Sequence, residues 1–192
     1  MEDFHSCIFT LLIEQGMLEK LRLDINAFTG SLPMFSNLPK LRWVDLSSNS
    51  FSGTIPAQFM GDVNANNLEI DKVVMDISGN MLTGTVPAEL ARFEYLNLYL
   101  KSNKFTEIDP VLCNKDSWNE GDVADFQCDG ILCPIGTYNS QGRQTSNENV
   151  CNDCESAKYI GGDVCARSFR VTCGTGMMTW SVVTLLFGMF VI

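Results

Sequence analysis

The sequence predicts an α/β-type repeat solenoid, followed by a small disulfide-rich module and a hydrophobic C-terminal helix. Three observations in the chain of 192 residues indicate this fold class. A frame of apolar residues, Asn, Gly and Pro recurs at nearly constant steps, as in solenoids built from units of about 20–29 residues. Seven of the eight cysteines lie within residues 113–173. The final residues, 177–192, are almost entirely apolar.

The repeating frame is clearest in residues 38–56, LPKLRWVDLSSNSFSGTIP, where apolar residues alternate as on a strand before Asn49. The frame recurs around Asn26, Asn80 and, more weakly, Asn103, so the steps between these asparagines are 23, 31 and 23 residues. Alternate side chains of a strand point to opposite faces, so the leucines of the frame are expected to point inward. One coil cannot bury its apolar row alone, and stacked coils therefore form a continuous core.

Asparagine, glycine and proline keep the same offsets in successive copies of the frame. Asparagine carries a donor and an acceptor, so it can satisfy backbone groups where the chain leaves the strand. Glycine permits a backbone bend that a Cβ would resist, and proline fixes φ and removes a donor. An amphipathic β domain with Asn-rich turns would not explain these constant offsets. We therefore predict an internal ladder of stacked asparagines, Asn26, Asn49, Asn80 and Asn103.

The frame resembles the coil of plant-type leucine-rich repeat proteins, LxxLxLxxNxFxGxIP, over roughly residues 17–113. The third copy has Lys72 in place of the first leucine, and the fourth lacks the glycine and carries Asp109-Pro110. The resemblance implies four repeats in residues 17–112, arranged as a horseshoe with short parallel strands on the concave face and mostly loops and 3-10 turns on the convex side. It also implies a binding protein, since family members are receptor ectodomains, adhesion proteins and enzyme inhibitors.

Two segments lie outside the regular frame. Residues 1–16 contain a short apolar run, but Glu2 and Asp3 precede it and no cleavage site follows, which is not typical of a signal peptide. We interpret this segment as a cap over the first coil or, preferably, as the truncated end of a longer chain. The polar residues 60–67 account for the longer step between the second and third coils, and they are expected to loop out of the solenoid.

The cysteine-rich residues 113–173 are predicted to contain disulfides, which implies an oxidising compartment. Pairing cannot be deduced from the sequence alone. A bridge between Cys113 and Cys128 would nevertheless staple a terminal cap that contains Trp118. The candidate disulfide cysteines are Cys113, Cys128, Cys133, Cys151, Cys154 and Cys165.

Residues 128–154 contain the pattern C-P-x-G-T-Y and a later C-x-x-C. This pattern resembles small cysteine-rich modules of the tumour-necrosis-factor-receptor or ephrin-receptor type. Its join to the repeats resembles secreted or cell-surface leucine-rich repeat proteins of diatoms and plants. Two other interpretations remain open. Cys128 and Cys133 together with Cys151 and Cys154 approach the spacing of a four-cysteine zinc site, and the second pair alone matches a thioredoxin-like redox motif.

Residues 174–192 form a hydrophobic tail that is predicted to be helical and to attach the protein to a membrane. The apolar stretch from residue 177 onward would span about 24 Å as a helix, short of a hydrocarbon core of about 30 Å. A marginal transmembrane helix, a cleaved lipid-anchor signal and a truncated span therefore all remain open. The predicted location is the cell surface or the extracellular space, with the plasma membrane as the candidate membrane.

Composition and motifs restrict the classes of function. The formal net charge of −10 argues against a nucleic-acid partner, because phosphate binding requires a basic face. The chain has one histidine, His5, and it contains no nucleophile motif, phosphate loop or dinucleotide fingerprint. We therefore expect that the protein is not an enzyme and needs neither a cofactor nor a metal ion.

The strand residues that flank the inward leucines are expected to form a binding face. Aromatic residues are favoured at interfaces, whereas carboxylates are better placed at a rim. Our leading hypothesis is a non-catalytic extracellular or cell-surface recognition or adhesion protein that binds a protein, peptide or glycan through this face. The alternatives are a truncated receptor ectodomain and an extracellular hydrolase inhibitor. The candidate ligand-binding residues are Trp43, Asp45, Asp76, Tyr99, Arg22 and Lys101.

Overall fold

The computed structural model describes residues 17–35, 37–63 and 72–166. The predicted N-terminal segment at residues 1–16 and the predicted membrane tail at residues 174–192 lie outside the described residues. Within the described ranges, no helix combines the length and the apolar composition needed to cross a membrane.

Each coil contributes one strand to each of two parallel four-stranded sheets. The first sheet has the strand order β1-β3-β5-β7, and the second has the order β2-β4-β6-β8. This arrangement confirms the predicted solenoid of short parallel strands. The strands are β1 (Lys20–Arg22), β2 (Thr29–Gly30), β3 (Trp43–Asp45), β4 (Ser50–Gly53), β5 (Val73–Asp76), β6 (Met81–Val86), β7 (Leu96–Tyr99) and β8 (Lys104–Ile108).

Neighbouring strands of the first sheet pair in the register that the repeat frame predicts. Leu21, Val44, Met75 and Leu98 pair in turn across the four strands, and all four are buried. The residues on either side of them face the opposite way, because side chains alternate along a strand. The buried row belongs to one continuous hydrophobic core, so the coils stabilise one another rather than folding singly.

In the second sheet, the glycine of the frame adopts a left-handed backbone conformation. Gly53 and Gly84 have φ angles of 84° and 82°, which a Cβ would disfavour. In the fourth coil no glycine follows Phe105, and the pairing of β6 with β8 shifts its register between Gly84 and Thr85. The departure of the fourth coil from the frame thus coincides with an irregularity in strand pairing.

Three of the frame asparagines connect their own coil to the preceding one. The Nδ2 group of Asn80 donates to the carbonyl of Leu46 at 3.1 Å, and its Oδ1 accepts from the N–H of Phe51 at 3.0 Å. Asn49 and Asn103 make the corresponding bonds to the coils that precede them. These side chains therefore pair with buried backbone N–H and C=O groups that form no bond within the sheets.

Replacing Asn80 by alanine is expected to lower the free energy of unfolding by about 1–3 kcal/mol, because backbone groups of two coils lose their partners. Asn26→Ala is the matched control. Asn26 is exposed and donates to the carbonyls of Leu23 and Asp24 within its own coil, so its loss should cost less than about 0.5 kcal/mol. Urea unfolding followed by circular dichroism measures both changes. Equal losses for the two variants would contradict the ladder.

The prediction that residues 60–67 loop out of the solenoid is wrong for the first part of this insertion. Met60 and Val63 are buried, with exposed fractions of 0% and 5%. Consecutive turns, including a bond from the N–H of Gly61 to the carbonyl of Gln58 at 2.8 Å, fold this stretch onto the core. Burial of two apolar side chains outweighs the polar character of their neighbours. Residues 64–71, which include the rest of the insertion, lie outside the described residues.

After the fourth coil, short helices and a two-stranded antiparallel sheet form the cysteine-rich module. Trp118 is fully buried, and the Oδ1 of Asn119 accepts from the N–H of Leu98 in β7 at 2.8 Å. This part of the module therefore covers the last strand of the first sheet. The elements of the chain outside the two large sheets are the 3-10 helices Ala88–Arg92, Pro110–Asn114, Trp118–Gly121 and Gln127–Gly130, the helix α1 (Asp122–Phe126), and the strands β9 (Thr137–Tyr138) and β10 (Asn152–Asp153).

Six cysteines of the module form three disulfides, and the sequence-predicted staple between the first two of them is present. The four cysteines considered as zinc ligands are all in disulfides, so they do not offer thiolates to a metal. The two cysteines of the C-x-x-C motif are bonded to different partners and do not form a redox pair. The bonded pairs are Cys113 with Cys128, Cys133 with Cys151, and Cys154 with Cys165.

Candidate functional site

The outward side chains of the first sheet form the floor of an open groove with a volume of about 1130 Å³. All four strands contribute to it, and loop residues and the cysteine-rich module complete its walls. The lining mixes four basic and four acidic side chains with two aromatic rings. The lining residues are Glu19, Lys20, Pro39, Lys40, Arg42, Trp43, Asp45, Lys72, Val74, Asp76, Asn97, Tyr99 and Glu120.

Four of the six predicted binding residues line this groove. Asp45, Asp76 and Tyr99 occupy one row across neighbouring strands, and Trp43 stands in the adjacent row. The other two predicted residues do not line it. Arg22 forms an ion pair with Asp24 at 3.5 Å and with Asp45 at 3.8 Å, and Lys101 donates to the carbonyl of Ser140 in the module at 3.1 Å.

The two carboxylates of the row are held in fixed orientations. In Asp45 and in Asp76, Oδ1 accepts hydrogen bonds from both the N–H and the hydroxyl of the serine two residues later, Ser47 or Ser78, at 2.6–3.1 Å. Burial raises the pKa of Asp76. The bonds from Ser78 oppose this shift, the negative charge of Asp45 adds to it, and the positive charge of Lys101 opposes it. The D-x-S pattern in two successive coils is the sequence signal for this arrangement.

Asp76→Asn is expected to stabilise the fold at pH 7. Because burial raises the pKa of Asp76 in the folded state, the ionised carboxylate opposes folding at every pH above that pKa. As the pH falls through the raised pKa, the folded protein takes up a proton before the unfolded chain does. The destabilisation by the carboxylate therefore disappears as the pH approaches 3.8, the ordinary pKa of the group.

Urea unfolding at pH 7 and near pH 4 measures this effect. The advantage of Asp76→Asn should be largest at the higher pH. The matched control is Asp116→Asn, because Asp116 is exposed and outside the groove, and it should change stability by less than about 0.5 kcal/mol at either pH. A loss of stability in Asp76→Asn at pH 7 would show that the bonds from Ser78 outweigh desolvation.

The two aromatic rings of the groove differ in their surroundings. Trp43 is 38% exposed, and the ammonium of Lys20 lies 5.7 Å from the centre of its ring. Tyr99 is half-buried, and the guanidinium of Arg143 lies 5.5 Å from the centre of its ring. Arg143 also pairs with Asp122 at 3.0 Å. The module thus covers one side of Tyr99 and leaves Trp43 as the more accessible aromatic residue.

Asn97 is a groove residue that the sequence-based site does not include. It is 6% exposed, its Nδ2 donates to Glu120 at 3.3 Å, and its Oδ1 has no hydrogen-bond partner among the described residues. Glu120 also pairs with Lys72 at 3.1 Å, and this bond is the main reason that the pKa of Glu120 is lowered. Asn97 holds the same frame position as Trp43, and this position could have predicted that Asn97 lines the groove. Nothing in the repeat pattern indicates Glu120.

Within residues 17–35, 37–63 and 72–166, no group of three or more His, Cys, Asp and Glu side chains could hold a metal ion. The single histidine of the chain, His5, lies outside these ranges. The residues that line the groove offer hydrogen bonds, ion pairs and aromatic contacts to a ligand.

Comparison with known families identifies the repeat unit. Residues 40–61, which run from the loop before β3 to the turn after β4, match the family model described as Leucine Rich Repeat. Residues 40–61 are therefore a leucine-rich repeat, and the solenoid built around them is leucine-rich-repeat-like. None of the curated proteins matches this sequence.

Several solved structures are similar to part of this chain. The leucine-rich repeat ectodomain of the plant membrane receptor kinase GASSHO1/SCHENGEN3 from Arabidopsis thaliana, in complex with CASPARIAN STRIP INTEGRITY FACTOR 2, is 28% identical over 56% of this chain and 12% of that chain, with a TM-score of 0.47. The plant peptide hormone receptor RGFR1, in complex with RGF2, is 27% identical over 66% of this chain and 21% of that chain, with a TM-score of 0.49.

A plant ice-binding protein is also similar, with 28% identity over 49% of this chain and 29% of that chain and a TM-score of 0.42. This chain therefore spans less than a third of the length of each of these three structures.

Proposed function

We propose that this protein is a non-catalytic extracellular recognition protein whose groove binds a peptide or an extended segment of a protein. The observation that carries the proposal is the groove itself, in which an accessible tryptophan stands beside oriented carboxylates on a rigid parallel sheet. Aromatic side chains at the centre of a groove are the typical anchors of binding interfaces. Polar groups around them give orientation and specificity.

The dimensions of the first sheet suit a short extended segment. Four parallel strands at the usual spacing extend over about 14 Å, which corresponds to about four residues of an extended chain that crosses them. The strands present side chains in rows, so successive ligand residues would meet successive coils. A ligand of this kind would bind without any large rearrangement, because the strands are held by the common core.

Three disulfides support an oxidising compartment, and hence an extracellular location, for the described part of the chain. Attachment to a membrane through residues 174–192 stays a prediction. The truncated receptor ectodomain and the hydrolase inhibitor remain the alternative functions, and each of them would bind its partner through the same groove. A glycan ligand would use the same tryptophan and carboxylates, so the test includes it.

Peptides selected from a random display library are expected to bind the groove. Trp43→Ala should weaken their binding by about fivefold or more, because interface anchors typically contribute more than about 1 kcal/mol. The matched control is Tyr159→Ala, since Tyr159 is an exposed aromatic residue of the module, 39% exposed and outside the groove. Calorimetry measures the affinities.

Peptides that bind Trp43→Ala as tightly as the unchanged protein, but lose affinity for Tyr159→Ala, would move the binding site to the module. A glycan array probed in parallel tests the other ligand class. Trp43-dependent binding to glycans alone would keep the groove and replace the peptide.

A further inference from the structure

The Asp76 carboxylate stands on the groove floor with no cation in ion-pair contact among the described residues; the positive charge of Lys101 acts on it only from beyond that distance. Its Oδ1 is bonded to Ser78, and none of the ion pairs found among the described residues includes Asp76. Asp45 lies beside it at the same register on the neighbouring strand, and like charges in this position repel each other. Asp45 forms an ion pair with Arg22 at 3.8 Å, whereas Asp76 forms no ion pair among the described residues.

Four cations in and around the groove contact other groups of the chain, and none of the four forms an ion pair with Asp76. The N–O distances in these four contacts are 3.8, 3.1, 3.1 and 3.0 Å. The contacts are Arg22 with Asp45, Lys72 with Glu120, Lys101 with the carbonyl of Ser140, and Arg143 with Asp122.

Asn97 provides a second and independent indication of a missing donor. Its side chain is 94% buried, as its exposed fraction is 6%, and it lines the same groove one strand away from Asp76. The Oδ1 of Asn97 is buried and has no partner among the described residues. Buried acceptors are almost always paired, so an unpaired one at a ligand groove indicates a donor that the ligand brings.

The groove floor thus combines a carboxylate, an unpaired amide oxygen and two aromatic rings. This set matches a planar organic cation with several N–H donors, because a guanidinium pairs with carboxylates and stacks on aromatic faces. A divalent metal ion would instead require more oxygen ligands than these, and it gains nothing from the rings. The net charge of −10 adds a field that favours the approach of a cationic ligand.

We propose that Asp76 binds a basic side chain of the ligand, with arginine as the best match, between Trp43 and Tyr99. This inference rests on the proposed function, because it names the ligand residue that occupies the same groove. The ligand is accordingly a peptide segment with a basic residue at its centre.

Two pentapeptides that differ in a single group test the proposal. The probes are acetyl-Gly-Gly-Arg-Gly-Gly-amide and the same peptide with citrulline, which replaces the guanidinium by an uncharged urea of nearly the same shape. Nuclear magnetic resonance titration of the full chain follows the indole signal of Trp43 and the side-chain amide of Asn97. The arginine probe should bind at least about tenfold more tightly than the citrulline probe.

Asp76→Asn should remove this preference, while the exposed control Asp116→Asn should keep it. The asparagine oxygen can still accept from Ser78, and thermal melting verifies that the variant is folded. Equal binding of the two probes, binding of neither, or an unchanged preference in Asp76→Asn would overturn the proposal. Calcium chloride is titrated alone as a further control. If it shifts the signals of Trp43 and Asn97, the proposal is overturned in favour of a metal ion.

The failures of the two proposals can be told apart. If library peptides bind in a Trp43-dependent manner but show no preference for a basic residue, the groove function stands and the role of Asp76 fails. If library peptides do not depend on Trp43, the proposed function itself fails.

Discussion

Trp118→Ala is expected to lower the free energy of unfolding by about 3–5 kcal/mol, the usual cost of truncating a buried tryptophan. Trp118 has no exposed surface and lies in the common core where the module covers β7. Its Nε1 donates to the carbonyl of Phe93 at 2.9 Å, so the substitution leaves both a cavity and an unpaired buried acceptor. Urea unfolding with linear extrapolation gives the difference.

Trp43→Ala is the matched control for this experiment. The same side chain is removed, but Trp43 is 38% exposed and stands over the groove rather than in the core. Its loss should cost no more than about 1 kcal/mol. If the two variants lose similar amounts of stability, the module does not close the end of the core as described.

The double variant Cys113→Ala/Cys128→Ala is expected to lose about 3 kcal/mol, the chain-entropy contribution of a bridge that closes a loop of about 15 residues. The two cysteines are 15 residues apart and join the 3-10 helices Pro110–Asn114 and Gln127–Gly130, which flank Trp118. The bridge therefore holds the segment that covers β7 in its folded arrangement.

A reductant separates the effect of this bridge from that of packing. In dithiothreitol the unchanged protein also lacks the bridge between Cys113 and Cys128, so the two proteins should then unfold at nearly the same urea concentration. A chelator should change neither, because the cysteines are bonded to each other and not to zinc. A difference that persists in dithiothreitol would attribute the loss to packing of the cysteine side chains.

The repeat frame was sufficient to predict the first sheet in detail. The row that contains Asp45, Asp76 and Tyr99 follows from the two-residue period of a strand and from the constant offset between coils. The ladder contacts of Asn49 and Asn80 follow from the same offset. Repetition makes these features local, because each coil contacts its neighbours in the same way.

Features that depend on non-repeating segments could not be predicted in this way. Arg143 covers Tyr99, and Glu120 bonds to Asn97, because the cysteine-rich module folds back onto the fourth coil. That contact depends on the path of a chain whose disulfide pairing the sequence leaves undetermined. The same limit explains the wrong prediction for Met60. This residue lies in a polar stretch that was expected to loop out, but its own side chain is apolar and buried.

The most direct test of the central claim is a crystal structure of the protein with a library-selected peptide bound. The peptide should lie in the groove across β3, β5 and β7, with a side chain against Trp43 and a basic side chain on Asp76. A peptide bound instead to the second sheet or to the cysteine-rich module, with the groove empty, would contradict the account.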